Sequence, residues 1–152
     1  MISFPRRHAG AFAVLFCLGA AQAQAQSSKH IEIARNWGLL GVWRLDCDKP
    51  ETRSNIRIEF VARDGQLYYE RRYEGVTDRS KVVDVLANPD GSIQVTVRFD
   101  KEDATYQWTS IHEGRVGLRT IESRNISTGA YAIRGGKIVS SGRRALLQTH
   151  CE

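Results

Sequence analysis

The sequence has no apolar run long enough to cross a bilayer, which takes about 20 residues. Its longest, from Ala11 to Ala21, falls well short of that. Cysteine and proline are scarce (three each), histidine numbers four, and there is one methionine. No C-x-x-C, H-x-H or H-E-x-x-H spacing occurs, which removes the usual thiol-redox and zinc-hydrolase patterns. Ser110 lies two residues before His112, but no G-x-S-x-G surrounds it. The acids form no EF-hand series, and Asp100, Glu102 and Asp103 read as a solvated hairpin tip. These absences predict no catalytic residue, no metal site and no cofactor. A block of like charge is missing too. Lys and Arg number 22 against 17 Asp and Glu, a formal net charge of +5, but the cations are interleaved with acids. Nucleic acid is therefore not expected as a partner.

What is present begins at the N-terminus. Arg6, Arg7 and His8 precede the apolar run, and "AQAQAQ" then offers small residues two apart. This is the pattern of a secretory signal peptide, residues 1–25, with cleavage after Ala25; Ala23 fits equally well. Bulky Phe16 before Cys17 argues against lipid attachment. Removing Arg6 and Arg7 lowers the cations from 22 to 20 against 17 acids, leaving +3. Two cysteines remain, Cys47 and Cys151, and in an oxidising compartment such a pair predicts a disulfide. Closing a loop of about 100 residues stabilises the fold by roughly 4–5 kcal/mol in the chain-entropy account.

Residues 26–39 form a short helical lead-in. In "SSKHIEIARNW", Ser27 or Ser28 can cap a helix that puts Ile31, Ala34 and Trp37 on one side. From Leu40 the pattern changes to period two. "SIQVTVRF" alternates Ile93, Val95, Val97 and Phe99 with Ser92, Gln94, Thr96 and Arg98. "NIRIEFVAR", "LYYERRYE" and "ATYQWTSI" repeat the alternation. Turn signals such as Asp64-Gly65 and Asn88-Pro-Asp-Gly91 separate the runs. The strands predicted are 40–47, 55–63, 67–74, 80–87, 92–99, 104–111, 115–123, 129–134 and 137–141. No connection is long enough for a crossover helix, so neighbours pair antiparallel. Closure removes the two open edges of such a meander. The cysteines point the same way, because a disulfide needs Cα atoms within roughly 7 Å and so brings the last segment back to the first strand. The fold class predicted for residues 40–152 is all-β, an antiparallel up-and-down barrel of eight to nine strands, with a β-sandwich as the alternative.

At Gly41-Val42-Trp43 the chain resembles the lipocalins and the wider calycin group, which carry G-x-W at the start of the first barrel strand. "LLGVWRL" is similar to the opening of bacterial lipocalin-like domains. The resemblance implies that Trp43 plugs the closed end of the barrel and that a late arginine, Arg143 or Arg144, packs across its indole. "WRLDC" together with a C-terminal cysteine also resembles small exported proteobacterial proteins, which implies export and no particular activity. The chain departs from a typical lipocalin in being shorter and in lacking an amphipathic helix after the last strand, for which "RRALLQTHC" leaves no room.

One residue interrupts the pattern. Strict alternation puts Arg71 between Tyr69 and Tyr73, on the face of Leu67. An inward arginine needs a partner. Three solutions are open: a bulge turns Arg71 outward, Glu122 pairs with it inside, or it holds a ligand walled by Tyr69, Tyr73, Tyr106 and Trp108. The inward set (Ile56, Ile58, Phe60, Tyr69, Val83, Val85, Ile93, Val95, Val97, Phe99, Tyr106, Trp108, Val116 and Leu118) is bulky enough that a filled core and a pocket are both open, since eight strands leave an interior that side chains nearly fill. The function expected is an exported, lipocalin-like binding protein for a small apolar or amphipathic molecule, without covalent chemistry. The alternative is a filled-core module of the cell envelope with a protein partner, contacted through loops 48–54 and 75–79. Either is periplasmic or secreted. N-terminal sequencing of the chain exported by a bacterial host is expected to start at Gln26; a product still carrying Met1 to Ala20 contradicts the signal assignment.

Overall fold

The computed structural model describes residues 17–151. Met1 to Phe16, the larger part of the expected signal peptide, lie outside the described residues, as does Glu152. One helix, α1 (Cys17–Trp37), precedes ten strands. These are β1 (Gly41–Arg44), β2 (Arg57–Arg63), β3 (Gln66–Tyr73), β4 (Val76–Ala87) and β5 (Ile93–Phe99), then β6 (Ala104–Glu113), β7 (Gly117–Asn125), β8 (Tyr131–Arg134), β9 (Lys137–Ile138) and β10 (Leu147–Cys151).

Helix α1 runs unbroken through Ser27 and Ser28, so neither caps it as the sequence predicts. Ser27 instead donates through Oγ to the Gly65 carbonyl at 2.5 Å. The C-terminus is capped by Gly38, whose φ of 83° lies in the left-handed region that glycine enters freely. Its N–H donates to Arg35 O at 3.0 Å, and that of Leu39 to Ala34 O at 2.8 Å. The expected apolar side is in place, with Ile31 and Ala34 buried and Trp37 packed against the core. Trp37 Nε1 also donates to Gly91 O at 2.8 Å. With Ser27 on the β2–β3 turn and Trp37 on the β4–β5 turn, the helix lies across one end of the sheet.

Each strand from β1 to β7 pairs antiparallel with the next, and β10 pairs with both β1 and β7. Strands β1–β7 and β10 therefore close an eight-stranded barrel, and the sandwich alternative does not arise. Strands β8 and β9 are a short extra hairpin on β7. The hairpin turn Glu74-Gly75 has positive φ at both residues, as a type I′ connection requires. It lets β4 begin at Val76, four residues before the expected start.

Two bulges change which side chains face inward. Between β4 and β5 the register passes from Val82↔Val97 to Asp84↔Thr96, leaving Val83 as the extra residue. Val82 and Val85 are buried as a result, while Val83, expected inside, is exposed. Between β6 and β7 the register passes from Thr109↔Glu122 to Ser110↔Thr120. Glu122 is thereby turned outward. Val116, also expected inside, belongs to the β6–β7 turn and is exposed.

The first strand is shorter than predicted, ending at Arg44. The following loop folds back so that Cys47 bonds to Cys151, with Cα atoms 5.6 Å apart. Asn55, buried beneath that loop, accepts from the Asp46 N–H and donates to the carbonyls of Asp46, Lys49 and Pro50. Trp43 is 1 % exposed and donates through Nε1 to Leu39 O at 2.8 Å. Neither Arg143 nor Arg144 crosses its indole. Arg144 pairs with Glu113, and the edge contact on Trp43 comes from its register partner His150, with ring centroids 4.8 Å apart. His150 fits because position 41 has no side chain. A Cβ there would lie 2.3 Å from His150 Nε2, and Gly41 also holds a φ of 117°. Gly41→Ala is expected to destabilise the fold by roughly 2–5 kcal/mol, summing backbone strain and overpacking. Chemical denaturation of Gly41→Ala alone and in a His150→Ala background checks this; the loss is expected to be smaller in the double variant, where only the backbone strain remains.

Candidate functional site

The inward side chains do not fill the barrel. A cavity of about 320 Å³ remains. Ile58 and Phe60 of β2, Tyr69 of β3, Val95 of β5, Trp108 of β6 and Leu118 of β7 form its walls. Leu39, just beyond the helix, lines it at the closed end. At the other end the rim carries Arg53 and Ser54 from the β1–β2 loop, Ile133 and Ile138 from β8 and β9, and Leu146 from the segment leading into β10.

The opening follows from how β7 is shared. Its start pairs with β10 through Leu147↔Arg119 to Thr149↔Gly117, whereas Ser123 and Arg124 pair with β8. Beyond Arg119 the barrel seam is therefore covered by the β8–β9 hairpin and the segment after it. That segment is fastened by Arg119, which is 7 % exposed, hydrogen-bonds to Glu113 through two nitrogens and donates to Ala145 O. The hydrogen bond from Arg119 holds the Glu113 carboxyl below the usual carboxylate range. Arg144 adds a second cation 3.3 Å from Glu113.

An aromatic cluster forms one wall. Tyr69 packs on Trp108, Phe60 and Phe99 at centroid distances of 4.9, 5.4 and 5.9 Å. Tyr69 is 8 % exposed, and burial pushes its phenol up to about 12. Its hydroxyl makes no hydrogen bond to any described residue. The cavity's other polar groups are uncharged except at the rim. Ser110 and Thr120 hydrogen-bond to each other at 3.2 Å, and Gln148 faces inward opposite Leu118. Arg53, at the rim, pairs with Glu74 at 3.1 Å.

Of the five ligand-contact residues named from the sequence, Tyr69 and Trp108 line the cavity. Arg71, Tyr73 and Tyr106 do not. Tyr106 packs edge-on against Phe99, and Tyr73 sits beside the β3–β4 turn, opposite Val76. Arg71 keeps the inward phase but lies behind Phe99, with its guanidinium 4.9 Å from the ring centroid. Its partners are Asp78 at 3.6 Å and Glu102 at 3.4 Å. Glu122 is not among them, because the β6–β7 bulge has rotated it out. Lys101 shares Asp78 at 2.7 Å, and that hydrogen bond, with Arg71 adding to it, holds the Asp78 carboxyl below its ordinary range. Four charges thus neutralise one another in a recess of about 80 Å³ at the rim.

Gln148, Ser54 and Leu146 were not named from the sequence. No strand pattern marks "LLQTHC", and the contribution of the β1–β2 loop depends on the fold that brings it over the mouth. Ser110 and His112, close in sequence, are not paired. Ser110 bonds to Thr120, while His112 stacks on Trp37 at 3.9 Å and donates to the Trp37 carbonyl at 2.8 Å. Among the described residues no group of three or more His, Cys, Asp or Glu is placed to hold a metal ion. Nor is any helix among them long and apolar enough to cross a membrane.

Comparison with family models, with curated proteins and with solved structures finds no match to this chain. The closed antiparallel eight-stranded barrel is compatible with a lipocalin-like fold.

The raised Tyr69 value has a consequence for stability. Against about 10 in the unfolded chain, the folded phenol stays neutral up to about 12. The folded state therefore binds more protons in that window, and stability falls as pH rises through it. Denaturation between pH 9 and pH 12 is expected to show this slope in the native chain, and a shallower one in Tyr69→Phe.

Proposed function

We propose that this chain is an exported, lipocalin-like barrel that binds a small apolar or amphipathic molecule without covalent chemistry. The observation that carries the reading is the unfilled interior: about 320 Å³, walled mainly by aliphatic and aromatic side chains. Binding sites for small molecules are concave and apolar, with a few placed polar groups, and run from roughly 300 Å³ upwards. Burial of a ligand's apolar surface there contributes on the order of 25 cal/mol per Å². The occupied partners of Ser110 and His112 support binding rather than nucleophilic catalysis. Export rests on the N-terminal pattern and is supported by the Cys47–Cys151 bond, which suits an oxidising compartment such as the periplasm.

A second reading, an interaction module with an envelope protein as partner, draws on the exposed Val139, Leu146 and Leu147. Leu146 is 60 % exposed and also lines the mouth, so a partner there would cover the cavity.

Native mass spectrometry of protein exported to a bacterial periplasm, compared with its denatured mass, tests the proposal. A reproducible excess mass, lost on denaturation and reduced in Trp108→Ala, is the expected result. A native mass equal to the bare disulfide-bonded chain, together with no displaceable apolar dye, moves the reading to the interaction module.

A further inference from the structure

The proposed cavity carries a chemical signature that narrows its ligand. Tyr69 is more than nine-tenths buried, lines the cavity and has a hydroxyl with no partner among the described residues. Trp108, in ring contact with it, makes no hydrogen bond to a described residue through its indole N–H, nor does Gln148 through its amide. These atoms are not sealed off, since the fully buried unpaired side-chain atoms among the described residues are Arg44 Nε and Arg71 Nε; each keeps accessible surface and stands open to a partner in the cavity. The unpaired groups on the aromatic wall are hydrogen-bond donors. With its phenol pushed up to about 12, Tyr69 remains a donor at neutral pH.

Charge excludes the simplest acceptor, a carboxylate. Arg53 is the one charged residue among the described residues that line the cavity, and it sits at the rim, 3.1 Å from Glu74. Arg71 acts on the Tyr69 phenol, but Glu102 acts on it in the opposite sense, and Arg71 is already paired with Asp78 and Glu102. A carboxylate carried down to Tyr69 would lose its hydration and meet no unpaired cation, a penalty far larger than one hydrogen bond returns.

We infer, on the reading that this cavity is the binding site, that its ligand class is a compact, uncharged, carbonyl-bearing apolar molecule whose oxygen accepts a hydrogen bond from Tyr69. The volume admits a body of about two fused rings. The rest of the wall, Ile58, Phe60, Val95 and Leu118, offers only apolar contact.

Three naphthalenes of matched shape test this by calorimetry and competition: 2-acetylnaphthalene, its hydrocarbon isostere 2-isopropenylnaphthalene, and 2-naphthoate. The native chain is expected to bind the ketone roughly three- to tenfold more tightly than the hydrocarbon, the range of one hydrogen bond. It is expected to bind the carboxylate at least roughly tenfold more weakly than the ketone. Tyr69→Phe, checked for native circular dichroism, is expected to bring the ketone-to-hydrocarbon ratio close to one while leaving hydrocarbon affinity in place. The infrared carbonyl band of bound ketone is expected at lower frequency in the native chain than in Tyr69→Phe, a readout independent of affinity. Tightest binding of 2-naphthoate, or a ketone preference that survives Tyr69→Phe, overturns the inference and leaves the cavity as a binding site. Equal binding of ketone and hydrocarbon to the native chain does the same. Failure of all three to bind removes both the inference and the binding reading beneath it.

Discussion

The five-residue strand Leu147–Cys151 closes the barrel, and the rest of the structure depends on that closure. It supplies backbone partners to β1 on one side and to β7 on the other. Without it both would be open edges, each a row of unpaired N–H and C=O groups. Three local devices hold it. The Cys47–Cys151 bond ties its end to the loop after β1. His150 packs on Trp43 and donates from Nε2 to the Leu40 carbonyl at 3.2 Å. Gly41 has no Cβ where the imidazole lies. The glycine and tryptophan of the opening motif thus serve the last strand as much as the first.

The closed end is assembled around the same junction. Each of the three histidines among the described residues fastens part of the lead-in. His30 lies 3.2 Å from Asp84 on β4, His112 holds the Trp37 carbonyl, and His150 holds that of Leu40. The helix and the residues leaving it are thereby fixed to β4, β6 and β10, and Leu39, 1 % exposed, is pressed into the base of the cavity. Histidines that could suggest chemistry in isolation are occupied in holding the lead-in to the barrel.

The open end is built on a different balance. There the seam between β7 and β10 diverges, and the β8–β9 hairpin with its following segment spans the gap. Arg119 and Arg144 meet at Glu113 to fasten that segment, while Arg71, Lys101, Asp78 and Glu102 cancel in a separate recess. Formal charge is paired off outside the cavity, whose wall keeps only neutral polar groups apart from Arg53 at its mouth. On the proposed binding reading, such a cavity would select by shape and by single hydrogen bonds rather than by charge.

Alternation of Ile93, Val95, Val97 and Phe99 and the turns at Asp64-Gly65 and Asn88 to Gly91 were enough to read strands and antiparallel order, because side-chain direction in a strand has a strict period of two. The cysteine pair carried closure, since a covalent bond is a distance constraint readable without coordinates. The same rule of two failed where a bulge inserts one residue, at Val83 and before Glu122, because nothing local separates a bulged strand from a regular one. It failed again for "LQTHC", whose strand character comes from neighbours on both sides rather than from its own pattern. Of the site, the aromatic wall of Tyr69 and Trp108 was visible in the alternation. The separation of Arg71 from that wall was not, since Phe99, Asp78 and Glu102 reach it from other strands and turns. Residue order by itself determined the class of fold and its closure, which depend on periodicity and a bond. Whether the interior is filled or hollow was decided only by the tertiary structure, because a cavity is the small difference between the volume a closed sheet encloses and the volume its inward side chains occupy.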